Sequence, residues 1–326
     1  MTMDKKKHAF NRTLFRWHKT HYRDMPWRPK TRDARVRLNP YHVLVSEIML
    51  QQTPVERVRT KYVEFLKKFP TVRLLARASL GEVLRVWSGL GYNRRARYLH
   101  DCAKKVVREH GGKLPNNFEE LKKLPGIGLS TAGALLAFAF GKDEPMIDTN
   151  IRRILIRVFF NPRSGHGEKI QGQKKIQGLA VKKLPLRPDL EFFSDLVSFH
   201  RAPSDKELYL FAKTLIPKKN GRAWNYAMLD LGATLCTARK HSDQCPLMKL
   251  HGKVGDFQYK NPQKKFTGSN RFYRGRILAL LAKHEALSAT MLAKHIGRSI
   301  EEAHELLHVL KQERLVAVTR GKAFLP

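Results

Sequence analysis

The chain contains 326 residues, with 63 Lys or Arg against 28 Asp or Glu and a formal net charge of +35. Such an excess is typical of proteins that bind a polyanion, because Lys and Arg side chains displace the counterions of phosphate groups. No apolar run reaches the ~18 residues that cross a membrane, and no secretory signal opens the sequence. We expect a soluble, intracellular protein with two domains rather than a membrane or secreted protein.

The three cysteines support an intracellular protein. Cys102, Cys236 and Cys245 do not form the even, closely spaced set of a disulfide-rich fold. Structural disulfides are rare in reducing compartments, so we expect no disulfide framework.

The N-terminal segment 1–21 begins with a Lys run and continues as a helical pattern, after which the chain enters a loop. Trp27 lies in that loop between Pro26 and Arg28, where a helix is excluded. A Trp in such a loop either covers a hydrophobic core or contacts a ligand, and both alternatives stay open.

The next segment, Tyr41–Leu50, is apolar on nearly every face apart from Ser46 and Glu47. Apolar surroundings disfavour the charged form of a carboxyl group, so we expect Glu47 to hold a proton near neutral pH. The alternative is that its carboxyl group reaches solvent at the helix edge. Gln52 and Thr53 follow, with amide and hydroxyl groups that suit base edges.

A glycine turn follows further along the chain. Gly89 and Gly91 predict a tight turn that presents Leu90 and Tyr92. Arginines come directly after it, at positions 94, 95 and 97. An aromatic side chain flanked by arginines suits a wedge between stacked bases, although an ordinary turn with a Tyr has the same pattern.

The next pattern along the chain is a predicted helical hairpin followed by a carboxylate. Helices at 118–124 and 130–140 flank a turn that contains Gly126 and Gly128. We expect both glycines to take positive φ and to let the backbone approach a partner closely. The N–H groups at the start of the second helix, residues 129–131, then form a phosphate site.

Asp148 stands just before the amphipathic run 151–160. A carboxylate at this position caps the helix and is expected to stay ionised. The sequence thus predicts a carboxylate, Asp148, shortly after the predicted phosphate site.

The C-terminal part has a different pattern after a polar linker at 252–270. Three helices and a hairpin are predicted there, at 274–284, 288–296, 299–312, 315–319 and 322–325. This order is typical of a winged helix-turn-helix. Glu301, Glu302 and Glu305 make the third helix a poor fit to the DNA major groove, so protein contact or domain packing is the alternative.

Four segments in this order resemble the helix-hairpin-helix DNA glycosylases: Pro26–Arg28, Ser46–Thr53, Gly89–Tyr92 and the hairpin 117–157. The segment Ser46–Thr53 is the most specific of them, and it is typical of the MutY-type adenine DNA glycosylases. The resemblance covers about residues 10–160 and resumes at 224–251.

This resemblance implies a mainly α, two-lobed helix-hairpin-helix glycosylase domain at 1–251. The linker 252–270 and a small winged-helix-like domain at 271–326 would follow. A lysine-rich insertion at about 161–208 is expected to be a solvated loop or, alternatively, a second DNA contact.

The resemblance also implies catalytic roles. Glu47 would protonate the adenine, Asp148 would stabilise the sugar cation and Asn150 would assist at the same site. Ser130 stands where the bifunctional endonuclease III relatives carry a nucleophilic Lys. Without that amine no Schiff base forms, so base removal without strand cleavage is expected.

DNA contacts are implied as well. Gln52 and Tyr92 would fill the duplex where the base has left, with Thr53 and Leu90 beside them. The phosphate contacts would come from Gly126, Gly128, Leu129 and Thr131. The base pocket would include Trp27, Arg28 and Tyr226. Tyr226 takes the place of the Glu or Gln that reads the flipped adenine in MutY-type enzymes.

The metal loop departs from the family, which binds a 4Fe–4S cluster with four cysteines. This chain offers Cys236 and Cys245, with Ser242 and His251 near the other two positions. Because half of the thiolates are missing, we expect no cofactor and loss of the cluster. A zinc site of Cys236, His241, Cys245 and His251 is the alternative.

The leading hypothesis is a monofunctional glycosylase of base excision repair that acts on double-stranded DNA. It would be a cytoplasmic, nucleoid-associated monomer. It would remove adenine opposite 8-oxoguanine or guanine and leave an abasic site. A thymine or uracil glycosylase acting opposite guanine is a second hypothesis, favoured by Tyr226 and by the lack of a recognisable NUDIX-like domain for 8-oxoguanine. A non-catalytic DNA-binding protein is a third, which the presence of both Glu47 and Asp148 disfavours.

Overall fold

The computed structural model describes residues 1–30, 36–160, 203–238, 242–252 and 265–326. Its helices up to residue 160 are α1 (Met3–His18), α2 (Pro40–Leu50), α3 (Val55–Lys68), α4 (Val72–Arg77), α5 (Leu80–Trp87), α6 (Arg94–His110), α7 (Phe118–Lys122), α8 (Leu129–Phe138) and α9 (Thr149–Phe159). The later elements are α10 (Asp205–Leu215), α11 (Gly221–Thr234), α12 (Met248–His251), α13 (Asn270–Lys283), β1 (Leu287–Ser288), α14 (Ala289–Ile296), α15 (Ile300–Gln312), β2 (Ala317–Thr319) and β3 (Lys322–Phe324).

One compact unit combines residues 1–23 with residues 141–258. In it α11 packs against both α1 and α9. Phe10 and Phe159 meet edge to face with ring centroids 5.2 Å apart, and Phe159 meets Phe211 at 5.0 Å. These buried rings form the centre of the unit, because aromatic side chains remove a large apolar area from water.

A second compact unit combines residues 24–140 with residues 259–326. The helix α2 lies at its centre and packs against α3, α6 and α8. It begins where the Asn39 side chain accepts a hydrogen bond from the Tyr41 N–H, with Pro40 in the first turn. Most of its side chains are buried, which explains the nearly uniform apolar sequence.

The C-terminal stretch of the second unit contains α13, α14 and α15 with a small antiparallel sheet in the order β1-β3-β2. Ser299 and Glu302 form the reciprocal hydrogen bonds of a capping box at the start of α15. Gly81 of α5 donates its N–H to the carbonyl of Pro326, and a Cβ on Gly81 would lie 2.9 Å from that oxygen. The chain end is therefore packed closely on α5.

The fold is mainly helical and contains the helix-hairpin-helix, as the sequence predicted. The assignment of the C-terminal stretch to a winged helix-turn-helix stays a prediction. Observed helix ends differ from the predicted ones by one to four residues, since α8 ends at Phe138 and α13 begins at Asn270. Residues 161–202 and most of the linker lie outside the described residues, so the domain boundaries and the role of the insertion stay predictions. No helix in the described part of the chain is long and apolar enough to cross a membrane.

Candidate active site and nucleic-acid interface

The turn between α7 and α8 is built around Gly126. The Asn117 side chain caps α7 by accepting a hydrogen bond from the Glu120 N–H at 2.9 Å. Gly126 has φ +78°, and a Cβ there would lie 2.9 Å from the Cβ of Tyr98. Only glycine fits this position without strain. Gly128 has φ −98°, so the expectation that both glycines take positive φ is wrong for Gly128.

Gly128 is the N-cap of α8, and no side chain caps this helix end. Gly126 and Gly128 are both exposed, and a Cβ on Gly128 would meet open space. Helix N–H groups without a side-chain cap carry a partial positive charge and attract an anion. Leu129 and Ser130 are half-buried, and this helix start has the features of a phosphate site.

Thr131 contributes to packing at the same helix end. It is 7% exposed, and its hydroxyl oxygen accepts a hydrogen bond from Gln51 Nε2 at 3.3 Å. This bond links the C-terminal end of α2 to the first turn of α8. A direct contact of the Thr131 side chain with DNA stays a prediction.

Asp148 is the N-cap of α9, as predicted. Its Oδ1 accepts from the N–H groups of Asn150 at 3.0 Å and Ile151 at 2.8 Å, and its Oδ2 accepts from Asn150 Nδ2 at 3.0 Å. Burial raises the pKa of the Asp148 carboxyl, and these donors with the charge of Arg153 oppose the rise without cancelling it. The prediction that Asp148 stays ionised took the helix cap into account but not the burial of the carboxyl group.

Arg153 and Gly232 support this cap, and the sequence analysis missed both. Arg153 is 2% exposed and donates to Asn150 Oδ1 at 2.7 Å and to the carbonyls of Cys236 and Gly232 at 2.6 Å. A Cβ on Gly232 would lie 2.5 Å from the Cβ of Asn150. The glycine in α11 therefore allows α9 to approach, and Arg153 fixes the Asn150 amide that bonds to Asp148.

Glu47 lies in the last part of α2 and is half-buried. Its neighbours Ser46 and Ile48 are buried, with 1% exposed surface each. The Ser46 hydroxyl donates to the Val43 carbonyl within the helix at 2.9 Å. The Glu47 side chain is thus partly accessible on a helix whose other side chains are mostly buried, and its proton-donor role stays a prediction.

Arg95 joins the end of α2 to the glycine turn. The guanidinium is buried, and its Nη1 donates to the carbonyls of Ile48 at 2.9 Å and Met49 at 2.8 Å. Nη2 donates to Thr53 Oγ1 at 2.8 Å and to the Gly91 carbonyl at 3.1 Å. Burial lowers the pKa of Arg95 to about 10. Nothing in the sequence distinguishes the buried Arg95 from the other two arginines of this run.

The two residues expected to fill the duplex share an unusual backbone conformation. Gln52 has φ +55° and Tyr92 has φ +48°. Non-glycine residues in this region are strained, and such strain is concentrated at functional sites. Tyr92 is half-buried, whereas Leu90 is 1% exposed and Thr53 is 8% exposed. The turn therefore does not present Leu90, and direct DNA contacts of Leu90 and Thr53 stay predictions.

Comparison with known proteins decides the family. Residues 45–177 match the model of the HhH-GPD superfamily base excision DNA repair proteins. An adenine DNA glycosylase of Mycobacterium tuberculosis is 32% identical over 284 residues, which cover 86% of this chain and 80% of that protein. The chain belongs to the adenine DNA glycosylases of the HhH-GPD superfamily.

Solved structures agree on the fold. A thermostable thymine-DNA glycosylase matches with a TM-score of 0.58 and 27% identity, over 76% of this chain and 96% of that one. A trapped endonuclease III–DNA covalent intermediate matches with a TM-score of 0.53 and 21% identity, over 75% and 94%. The family and the fold class predicted from the sequence are confirmed.

The predicted base-pocket residues of this HhH-GPD protein are all buried. Trp27 packs edge to face on Tyr62 with the ring centroids 5.6 Å apart, which agrees with the role of a core cover. Arg28 is 8% exposed. Tyr226 is 4% exposed and meets the ring of Tyr22 at 6.2 Å. Contact of these side chains with a flipped base stays a prediction.

The cluster loop of this family member does not fit a 4Fe–4S cluster. Arg157 donates from Nη1 to Cys236 Sγ at 3.2 Å, so a cation already faces this thiol. Cys245 Sγ lies 3.5 Å from His251 Nε2, and burial raises the pKa of the Cys245 thiol to about 11. A guanidinium beside one of the two cysteines of this loop opposes binding of a metal cation there.

The zinc alternative stays a prediction, because one of its four ligands, His241, lies outside the described residues. In the part of the chain that the structure describes, no three His, Cys, Asp or Glu side chains are grouped to hold a metal ion.

Proposed function

We propose that this adenine DNA glycosylase family member removes adenine from double-stranded DNA in base excision repair. The observation that carries the proposal is Asp148, which follows the α7–α8 hairpin in the chain and is held by three hydrogen bonds from the first turn of α9. The M. tuberculosis adenine DNA glycosylase supports adenine as the base.

The reaction is hydrolysis of an N-glycosidic bond after the nucleotide has left the base stack. Glu47 gives a proton to the purine ring as the bond to the sugar breaks. Asp148, in its ionised form, stabilises the oxocarbenium-like sugar, and water then adds to give an abasic site. Two carboxyl groups with different protonation states are what this class of reaction requires.

DNA is held through its backbone and its base stack. The start of α8 after Gly128 binds a phosphate through backbone N–H groups. Gln52 and Tyr92 enter the space that the flipped nucleotide leaves. The net charge of +35 supplies the long-range attraction to the duplex.

Ser130 replaces the amine that strand-cleaving relatives use, so this enzyme hydrolyses the base without cutting the strand. Product strands should remain intact until they are treated with alkali. Cleavage without alkali would contradict this part of the proposal.

The opposing base is 8-oxoguanine or guanine. A specific observation favours a second candidate, thymine or uracil release opposite guanine, because Tyr226 replaces the expected Glu or Gln and a thymine-DNA glycosylase is similar in structure. We prefer adenine as the excised base because a relative that matches most of this chain is an adenine DNA glycosylase.

Single-turnover assays on four duplexes separate these candidates: A opposite 8-oxoguanine, A opposite G, T opposite G and U opposite G. Release of adenine from the first two supports the proposal. Release of thymine or uracil alone would favour the second candidate. If no base is released from any of the four duplexes, the proposal that the chain is an enzyme is contradicted.

We also propose that the enzyme works without an iron–sulfur cluster, because Arg157 faces the Cys236 thiol. Iron and zinc analysis of purified protein tests this directly. About four iron atoms per chain, the content of one 4Fe–4S cluster, would contradict it. One zinc per chain would instead support the site that includes His241.

A further inference from the structure

The first helix, α1, is strongly basic on its exposed side. Five exposed basic side chains recur along it at intervals of three or four residues: Lys5, His8, Arg12, Arg16 and Lys19. Residues at this spacing lie on one side of an α-helix. Lys19 is the C-cap and keeps helical backbone angles, so it continues the row. We call these five residues the basic face.

The opposite side of α1 is buried in the first unit. Phe10 and Leu14 are both 0% exposed, and Phe10 packs on Phe159 of α9 with the ring centroids 5.2 Å apart. The helix also packs against α11. A basic amphipathic helix binds an anionic membrane only when its apolar side enters the lipid. Because the apolar side of α1 lies in the protein core, a membrane is not the partner of the basic face.

The charges of the basic face are not neutralised within the chain. Among the described residues, no carboxylate forms an ion pair with its lysines and arginines. Asp4, the acid in the first turn of α1, acts electrostatically on Lys7, which is not part of the basic face. Arg12 and Arg16 are four residues apart, a spacing at which like charges destabilise a helix. An anion bound along α1 would remove this repulsion.

The length and composition of the basic face suit a phosphate backbone. The fourteen residues from Lys5 to Lys19 rise by ~21 Å, which is long enough to follow about six base pairs of duplex. Every exposed residue between Lys5 and Lys19 belongs to the basic face, so this surface offers no exposed apolar or aromatic side chain. Protein–protein interfaces are anchored by aromatic side chains and are depleted in Lys. Phosphate groups are therefore the better partner.

We propose that the basic face of α1 is a second DNA-binding surface, which holds the phosphate backbone of undamaged duplex outside the site at Asp148. It acts through charge and makes no base contacts, so its binding does not depend on sequence. Such a surface keeps the enzyme on DNA while it searches for a mispair. It rests on the proposed function only in taking double-stranded DNA as the ligand.

The salt dependence of binding to an undamaged duplex of about 30 base pairs tests this surface. The variant combines Lys5→Gln, Arg12→Gln, Arg16→Gln and Lys19→Gln, which remove four charges and keep a good helix former. Each phosphate contact adds about 0.9 to the slope of log K against log salt. We expect the slope to fall in magnitude by about 3 to 4, and the affinity at about 0.1 M salt to fall about tenfold or more. Fluorescence anisotropy measures both.

The matched control removes the same formal charge from four lysines in four different helices. These lysines are all exposed and are replaced by Gln at Lys67, Lys104, Lys283 and Lys294. Because they do not form one row, the affinity should fall by less than about threefold and the slope by less than about 1. A thermal unfolding curve for each variant shows that the fold is kept.

A charge-keeping variant separates charge from packing. Arg12→Lys combined with Arg16→Lys retains both positive charges, and a lysine binds a phosphate as a point charge. This variant should bind the undamaged duplex within about twofold of the wild-type chain.

The number of bound duplexes distinguishes two sources of the phosphates. With a duplex of about 12 base pairs, two duplexes on the wild-type chain and one on the four-Gln variant would place a second duplex on α1. One duplex on each, with weaker binding of the longer duplex by the variant, would place the flank of the same duplex there. Either result supports the proposal. Native mass spectrometry counts the duplexes.

Two outcomes would overturn the proposal. If the four-Gln variant keeps the affinity and salt slope of the control, the basic face does not bind DNA, and another anion such as an acidic protein segment is its partner. If the charge-keeping variant loses as much affinity as the four-Gln variant, the arginines act through packing and not through charge. The undamaged duplex contains no mispair, so absence of base release would contradict the proposed function and leave this test intact.

Discussion

At the scale of single residues, Asp148 experiences two opposing influences on its charge. Three hydrogen bonds from the start of α9 favour the carboxylate, whereas burial favours the protonated acid and has the larger effect. Water around a strongly solvated aspartate would screen its charge from a single partner such as the sugar cation. Asp148 is half-buried, and the burial of its carboxyl group is the cause of the raised pKa.

This raised pKa predicts the acidic side of the pH profile. Asp148 must be ionised to stabilise the sugar cation, so base release should fall as pH drops through a value above the ~3.9 of an exposed aspartate. The single-turnover rate on an A:G duplex, measured against pH, checks this. An acidic limb at or below the ordinary aspartate value would contradict it.

The pH dependence of folding stability has the opposite sign to that of the rate of base release. The folded state binds the Asp148 proton more tightly than the unfolded state does, so the stabilising contribution is complete below the unfolded pKa. It is lost as pH rises through the folded pKa. Asp148→Asn should remove this dependence from the melting temperature, whereas Asp205→Asn, at an exposed position of α10, should leave it in place.

Arg95 is the second residue whose environment makes a prediction. Its buried guanidinium bonds to carbonyl groups at the end of α2 and in the glycine turn. Arg95→Met leaves those acceptors without a donor and should lower the free energy of unfolding by about 3–5 kcal/mol. Urea unfolding measures this change.

The adjacent Arg94 is the control for that experiment. It is exposed and donates to the Tyr98 hydroxyl at 2.9 Å. Arg94→Met should change the free energy of unfolding by less than about 1 kcal/mol. Equal effects of the two variants would show that Arg95 is not the link between α2 and the turn.

At the scale of elements, the α7–α8 turn uses its two glycines for different purposes. Gly126 has positive φ and sits against Tyr98, whereas Gly128 has negative φ and faces open space. Gly126→Ala should cost about 1–3 kcal/mol of stability. Gly128→Ala should change the stability by less than about 1 kcal/mol, because the lower entropy of the unfolded chain is offset by the poorer N-cap.

The effect of the same two glycine substitutions on DNA affinity should differ from their effect on stability. A methyl group at Gly128 projects from the exposed start of α8, where a phosphate would approach, so Gly128→Ala should weaken duplex binding. Fluorescence anisotropy at fixed salt measures this. If Gly128→Ala binds DNA as the wild-type chain does, the phosphate site does not lie at this helix end.

Much of this element-scale structure was predictable from local sequence. The cap at Asp148 was predicted, because a cap depends on residues only a few positions apart in the sequence. The links made by Arg95 and Arg153 were not found. Each joins segments more than 40 residues apart in sequence, and an arginine in a basic chain looks the same whether it is buried or exposed.

At the scale of the whole molecule, the sequence predicted the mainly helical fold and the family, both of which are confirmed. It could not predict that residues 259–326 form one compact unit with residues 24–140. That association depends on close approaches such as Gly81 to Pro326, whose sequence pattern is unremarkable. The strongly basic composition predicted a polyanion partner but not the position of any cavity.

The central claim is that this chain hydrolyses the bond between adenine and its sugar through Asp148. The most direct measurement is chromatographic detection of free adenine from an A:8-oxoguanine duplex under single-turnover conditions, with duplex affinity measured in parallel. The wild-type chain should release adenine, and Asp148→Asn should bind the duplex with similar affinity while its rate falls at least about a hundredfold. Adenine release by Asp148→Asn at the wild-type rate, or no release by the wild-type chain, would contradict the account.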